Sequence, residues 1–310
     1  MSTGHKRKKI RMVLCSYPGA ADASNDTVQR VRLLSEDLFA YNEIYSDGGD
    51  IGYSQSRRKF RVAIDSDDLK SLRPGHMLKG GVINFFIKHL DYGNEQEKDA
   101  NIETYSTDFY PMLSNGGIQN VLNFQKINPF SRKIINIPVC FGNHWRLIVL
   151  LNPGHVLDSS VTGPMCCILG FDSCTGDERL IESKAPLIRA WLNAKWGKTY
   201  PKKRSNPFNQ ITMPAFAPSI CKQSTVTVNE CGIHTMLALR MMCKLRSYDF
   251  CKGENRWFTR DFRKKCGYGQ AEVIELRKAT STCINRLHHL QCQELDTRSD
   301  DDHVPVVCYN

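Results

Sequence analysis

Three apolar runs follow one another between positions 132 and 173: RKIINIPVCF, HWRLIVLLN and PMCCILGFDS. Asn, Gly and Pro separate them, and each run is too short for a buried helix but right for a buried strand. Three consecutive strands must be covered, and the flanking sequence offers the cover. LKGGVINFFIKHL carries Val82, Ile83, Phe85, Phe86 and Leu90 at helical spacing, NIETYSTDFYPMLS follows as a second helix candidate and GIQNVLNFQK as a third, weaker one, and residues 178–196 resume a helical period. TMLALRMMCKL and AEVIELRKATSTCINRL read as two further helices, while FRVAI alternates like a strand and DSDDLKSL opens with residues that favour a helix start. Strands in series with helices on either side predict an α+β domain.

The predicted domain runs over residues 60–290 of the 310. Residues 1–59 form a polar, basic, partly disordered extension with one helix candidate at 28–45, and residues 291–310 an acidic, flexible tail. PKKRSNPFNQITMPAFAP reads as a loop leading to an extended run, QSTVTV. No apolar stretch approaches the ~18 to 20 residues of a membrane-spanning helix. The basic start is followed only by MVLC before Tyr17, Pro18 and Gly19, too little for a signal peptide. The 13 cysteines form no paired CxxC framework, so they read as reduced thiols of a cytosolic or nuclear protein.

The net charge of +10 gathers at residues 6–11 (KRKKIR), 57–59, 202–204 and 256–265. Such runs attract nucleic acid, acidic protein or a nuclear import receptor, and Phe208, Phe216, Trp257 and Phe258 lie among them as candidates for stacking on bases. No nucleic-acid motif accompanies them, so this is an accessory role at most. A monomer is expected, with no membrane partner.

One cysteine is set apart by its neighbours. In VNECGIH, Cys231 stands at the start of a helix with Asn229 as the expected N-cap and Gly232 allowing close approach. A helix start offers free N–H groups and a positive dipole end, which lower a thiol's pKa and can hold an oxyanion. Thiolate chemistry also needs a base and a group to orient it. His144 opens one strand and Asp172 ends the next, so antiparallel pairing would bring imidazole and carboxylate together. Cys231-x-x-His234 has a zinc-like spacing, but one such pair without a second is weak, and no metal or cofactor is called for.

These residues resemble a known family, the ubiquitin-like-protein-specific cysteine proteases of the SUMO or sentrin protease group. The likeness rests on HWRLIVL at His144, ILGFDS ending in Asp172, KQSTVTVNECG around Cys231, and LRPGHMLKGGVINFF upstream. It implies a papain-like α+β fold with a central, mostly antiparallel sheet flanked by helices and the nucleophile at a helix N-terminus, Cys231 as nucleophile, His144 as base and Asp172 as its orienter. It further implies that Gln223 completes the oxyanion hole, and that Trp145, Met77 and Gly232 line a tunnel for the modifier's diglycine end. Only glycine lacks a side chain, so a slot closed by an indole rejects other residues. The substrates implied are SUMO or another ubiquitin-like protein and its conjugates. Met77 replaces a usual Trp, Lys79 and Gly80 a usual Asn-Asp, and Gln223 lies eight positions before Cys231, a longer spacing than the family usually has. A deubiquitinase, a viral-type polypeptide protease, an acyltransferase with the same triad, and a catalytically silent modifier-binding module remain as alternatives.

Overall fold

The structure is a computed structural model that describes residues 11–13, 61–92, 100–122, 128–160, 162–174, 178–203, 205–223, 229–244 and 268–298. The expected helix at 28–45, the basic runs at 57–59 and 256–265, Trp257, Phe258 and the extended run after Gln223 lie outside them. The chain divides into two units, residues 97–273 and residues 1–96 with 274–310.

In the first of these units a five-stranded sheet is built from β3 (Ile102–Thr104), β4 (Ile134–Phe141), β5 (His144–Leu151), β6 (Cys167–Phe171) and β7 (Ala215–Phe216), in that spatial order. The three central strands are the three apolar runs, paired antiparallel as expected. The turn between β4 and β5 is made by Gly142 and Asn143, with φ of 59° and 57°. Two successive positive φ values match the twist of a tight hairpin, and Gly and Asn tolerate them best. The turn brings Phe141 opposite His144.

The strands are apolar at nearly every position because the sheet is covered on both faces. On one face Ile135, Ile137 and Val139 of β4, Ile148 and Leu150 of β5 and Ile168 of β6 share a core with α3 (Phe109–Gly116) and α5 (Glu178–Thr199). Phe109 and Trp191 meet edge-to-face at its centre, their ring centroids 5.0 Å apart. None of the residues of α6 (Cys231–Lys244) belongs to that core; the helix packs against β4 and β5, and every residue from Cys231 to Met242 is buried. A helix apolar all round is a core helix.

The edges of the sheet depart from the sequence reading. NIETYSTDFYPMLS is not one helix: Ile102–Thr104 forms β3, parallel to β4, and helix begins only at Phe109. β-branched Ile and Thr favour this edge position once a strand partner is present. The loop after residue 200 contains β7, which lies parallel to β6 and is only two residues long. The helix expected over GIQNVLNFQK is confined, among the described residues, to α4 (Ile118–Val121). Phe208 is 2% exposed and packs on Phe130 and Trp196, so it cannot stack on a nucleic-acid base.

The second unit contains an antiparallel pair of β1 (Arg11–Val13) and β2 (Arg61–Ala63), helix α1 (Ser66–Ser71) and helix α2 (Gly80–Tyr92). β1 places three residues of the expected disordered extension in a strand. Asp65 and Asp68 form a reciprocal capping box at the start of α1. The last helix, α7 (Gln270–Arg298), begins in the first unit and continues in the second, past position 290, so the first residues of the expected tail are helical. Within the second unit Arg277 donates from Nη1 to the carbonyls of Ser71 and Arg73, at 3.0 and 3.1 Å. Among the described residues no helix is long and apolar enough to cross a membrane.

Candidate active site

The register of β5 against β6 decides what meets at the end of the sheet. Leu151 pairs with Cys167 and Leu147 with Phe171, and the same register carried onward sets Arg146 opposite Asp172 and His144 opposite Cys174. Because side chains alternate between faces, those four lie on one face.

Their contacts converge on Asp172. His144 Nε2 lies 2.7 Å from Asp172 Oδ1, Arg146 Nε donates to Oδ2 at 2.6 Å, and the Cys174 backbone N–H donates to Oδ1 at 2.8 Å. Burial would raise this carboxyl, but the three hydrogen bonds and the Arg146 charge together hold it down at about 2. A fixed carboxylate makes Nε2 the protonated nitrogen of His144 and leaves Nδ1 to face the other side of the ring.

Two sulfurs lie on that other side. Cys231, the first residue of α6, is hydrogen-bonded to His144, and Cys174 Sγ is 3.6 Å from Nδ1. Burial would lower the imidazole, but the hydrogen bonds to Asp172 and Cys231, with their negative charge, raise it to about 9. For Cys231 the balance is the mirror image. Burial would raise the thiol, and it is overcome by the hydrogen bond to His144, the N–H of Trp145, the imidazolium charge and the N–H of Gly232, so its pKa falls below the ordinary thiol value. The arrangement favours a thiolate–imidazolium pair held from behind by a carboxylate.

The start of α6 differs in detail from expectation. Asn229 is not the N-cap; it takes a left-handed φ of 69°, and the Glu230 carbonyl accepts the first helical N–H groups, from Ile233 and His234. Asn adopts that conformation more readily than most residues, which lets the chain turn sharply into the helix. Glu230 itself is buried and accepts from Gln270 Nε2 at 2.8 Å.

Gln223 is tied to the same strand end. Its backbone N–H donates to the Ser173 carbonyl at 2.9 Å and its side-chain Nε2 to Cys174 Sγ at 3.2 Å. Lys222 Nζ donates to the carbonyls of Asp172 and Cys174, at 3.0 and 2.8 Å. Lys222 and Gln223 are thus anchored to the residues that follow β6. Gln223 Oε1 is buried with no hydrogen-bond partner among the described residues.

The remaining expected residues are distributed as follows. Trp145 is buried at 5% exposure, one strand position on from His144 and therefore on the opposite face. Gly232 is buried in the first turn of α6. Met77 belongs to the other unit, half-buried ahead of α2. His234 is turned to Tyr268, with Nδ1 3.1 Å from the hydroxyl, and burial holds its imidazole down at about 4, so it is a neutral core residue and no partner of Cys231. The sequence reading missed Arg146, Cys174 and Lys222. The alternation in HWR and DSC would have revealed the first two, given the strand register.

Comparison with known proteins gives a consistent result. A family model described as the Ulp1 protease family, C-terminal catalytic domain, matches residues 76–266. Human sentrin-specific protease 2 is 35% identical over 92 residues, which cover 29% of this chain and 16% of that protein. Probable ubiquitin-like-specific protease 2A of Arabidopsis thaliana is 26% identical over 133 residues, covering 38% and 17%. The chain thus spans less than a fifth of the length of these curated relatives. Among solved structures, the crystal structure of a de-sumoylating protease superposes with a TM-score of 0.54 at 20% identity, over 76% of this chain and 92% of that one, which shows a shared α+β fold.

Proposed function

Because the chain belongs to the Ulp1 protease family, we propose that it is a cysteine protease that cleaves after the C-terminal Gly-Gly of SUMO or another ubiquitin-like modifier. The observation that carries this reading is the hydrogen-bonded chain from Asp172 through His144 to Cys231, with the imidazole raised to about 9 and the thiol lowered. Those directions favour the charged pair at neutral pH, and a thiolate is the attacking species.

In the proposed reaction the Cys231 thiolate attacks the carbonyl of the terminal glycine. The oxyanion is held by the Cys231 N–H and the Gln223 amide. His144 transfers its Nδ1 proton to the departing amine, a lysine side chain in deconjugation or a peptide nitrogen in precursor processing. Water, deprotonated by the same imidazole, then releases the modifier from the thioester. Asp172 keeps the ring in the required tautomer, and Arg146 keeps Asp172 ionised. The Trp145 indole restricts the approach to residues without side chains, and Gly232 lets the modifier's backbone come close.

The test uses a panel of propargylated modifiers, SUMO types and ubiquitin included, with wild-type protein and Cys231→Ala. A covalent adduct with a SUMO probe on the wild type alone is the expected result. Preference for the ubiquitin probe would redirect the substrate assignment, and cleavage that survives in Cys231→Ala would overturn the mechanism.

A further inference from the structure

Gln223 lies eight positions before Cys231, so the helix start that places the nucleophile does not by itself place the amide. The residues after β6 supply the anchorage. The Gln223 backbone N–H donates to the Ser173 carbonyl at 2.9 Å, and Lys222 Nζ bridges the carbonyls of Asp172 and Cys174 at 3.0 and 2.8 Å. Those contacts bring the Gln223 backbone to the strand end but leave its side chain undirected. The last torsion of a glutamine is broad and nearly two-fold, so an amide without a fixed partner presents either its nitrogen or its oxygen. An oxygen aimed at a developing oxyanion opposes the reaction that a nitrogen supports.

One contact makes the choice. Gln223 Nε2 donates to Cys174 Sγ at 3.2 Å, and among the described residues that sulfur is the amide's only hydrogen-bond partner, since Oε1 is buried with none. The same sulfur lies 3.6 Å from His144 Nδ1, so base and amide are both in contact with it. Cys174 is fixed in turn, its N–H donating to Asp172 Oδ1 at 2.8 Å and its carbonyl accepting from Lys222. Burial and the Asp172 charge push its thiol up, so at neutral pH it acts as an acceptor and not as a second nucleophile. An amide nitrogen carries two hydrogens, and with one held by sulfur the other is left for an oxyanion.

We infer that Cys174 is a positioning residue of the proposed reaction: its sulfur holds the Gln223 amide with the nitrogen, not the oxygen, turned to the site of attack. The catalytic part of this inference rests on the oxyanion role proposed for Gln223; the anchoring of the amide by sulfur does not.

The experiment uses the full chain as wild type, Cys174→Ala, Cys174→Ser, Gln223→Ala and the Cys174→Ala/Gln223→Ala double variant. Each is measured for kcat and KM on a SUMO fusion, for Cys231 alkylation by iodoacetamide, followed by mass spectrometry of its peptide, and for folding by circular dichroism. Gln223→Ala should lower kcat by the ~100- to 1,000-fold typical of losing an oxyanion donor. Cys174→Ala should lower kcat ~10- to 100-fold, the effect of a donor displaced by about 1 Å, with KM near that of wild type. Cys174→Ser keeps an acceptor on the same carbon and should recover most of that loss, and the double variant should be no worse than Gln223→Ala alone. Alkylation of Cys231 develops no oxyanion and should proceed at the wild-type rate in all of them except through folding, which the dichroism checks. In nitrogen-15 NMR the Gln223 side-chain amide hydrogens, identified by their loss in Gln223→Ala, should exchange with water faster in Cys174→Ala than in wild type. Wild-type kcat in Cys174→Ala beside an impaired Gln223→Ala overturns the inference, as do additive losses in the double variant. An equal fall in Cys231 alkylation overturns it too, because Cys174 would then act on His144. Full activity in Gln223→Ala refutes the oxyanion role and this inference with it. A wild type that cleaves no modifier refutes the proposed reaction, and the amide exchange rates then uphold or refute the sulfur anchor by themselves.

Discussion

Replacing Asp172 by Asn tests the site most severely, because the amide keeps the shape and changes the hydrogen-bond count. Asp172 accepts from three donors: His144 Nε2 and the Cys174 N–H on Oδ1, and Arg146 Nε on Oδ2. An asparagine has one acceptor oxygen, and its NH2 can only donate. The oxygen at the Oδ2 position keeps the charge-assisted bond from Arg146, and the NH2 then faces His144 and the Cys174 N–H, of which only the histidine can give up its proton. Nε2 must then be unprotonated, which puts the remaining proton on Nδ1 and disfavours the imidazolium. His144 stands at about 9 against an ordinary 6.5, a difference worth on the order of 3 kcal/mol. Asp172 and Cys231 share that effect, so losing the carboxylate should remove roughly half of it, a ~10- to 100-fold loss of the thiolate–imidazolium pair. The assay is the rate of Cys231 alkylation by iodoacetamide across pH, alongside kcat/KM on a SUMO fusion. Asp172→Asn should shift the alkylation profile to higher pH and reduce kcat/KM by at least the same factor. Arg146→Met in the same chain frees the amide oxygen for His144 and should recover part of the loss. A single variant as active as wild type, or a double variant no better than the single, would refute this reasoning.

Three further outcomes follow from the same structure. Cleavage of an isopeptide substrate should decline as pH rises through about 9, where His144 loses the proton it must deliver to the amine; a pH–kcat/KM profile checks this. The Asp172 carboxyl is lowered in the folded chain to about 2 from 3.8, so its stabilisation is present above about pH 4 and is lost as pH falls towards 2. Asp172→Asn should therefore flatten the dependence of Tm on pH in that window. A Cβ on Gly170 would meet the Ile181 side chain at 2.7 to 2.9 Å, so Gly170→Ala should lower stability by ~1 to 3 kcal/mol, read by urea denaturation, and weaken the anchorage of α5 on β6.

The part of the site legible in the sequence was the part that local chemistry specifies. Cys231 was marked by the glycine and helix behind it, and His144 and Asp172 by their places at strand ends. The Asn and Gly that separate the first two apolar runs marked a break between strands, and the structure makes of it a tight turn with positive φ at Gly142 and Asn143. Arg146 and Cys174 were not recognised, because nothing local distinguishes a useful Arg or Cys from any other on a strand. The N-cap was misassigned to Asn229 because Asn suits both a cap and a left-handed turn, and the backbone adopted the second. The edge strands β3 and β7 were missed for a related reason: three- and two-residue segments have no period of their own and become strands only when a neighbour supplies the hydrogen bonds.

What the sequence determined by itself was therefore the three central strands, the longer helices and the place of one thiol at a helix start, since periodicity, capping and turn preference act between near neighbours. What only the tertiary structure decided was the register of β5 on β6 and the arrival of α6 at their end. Those pairings join residues far apart in the chain, and packing on both faces of the sheet selects them. A slip of one residue would turn His144 and Asp172 to opposite faces. The observed register instead brings His144, Arg146, Asp172 and Cys174 together and makes four scattered residues into one site around Cys231.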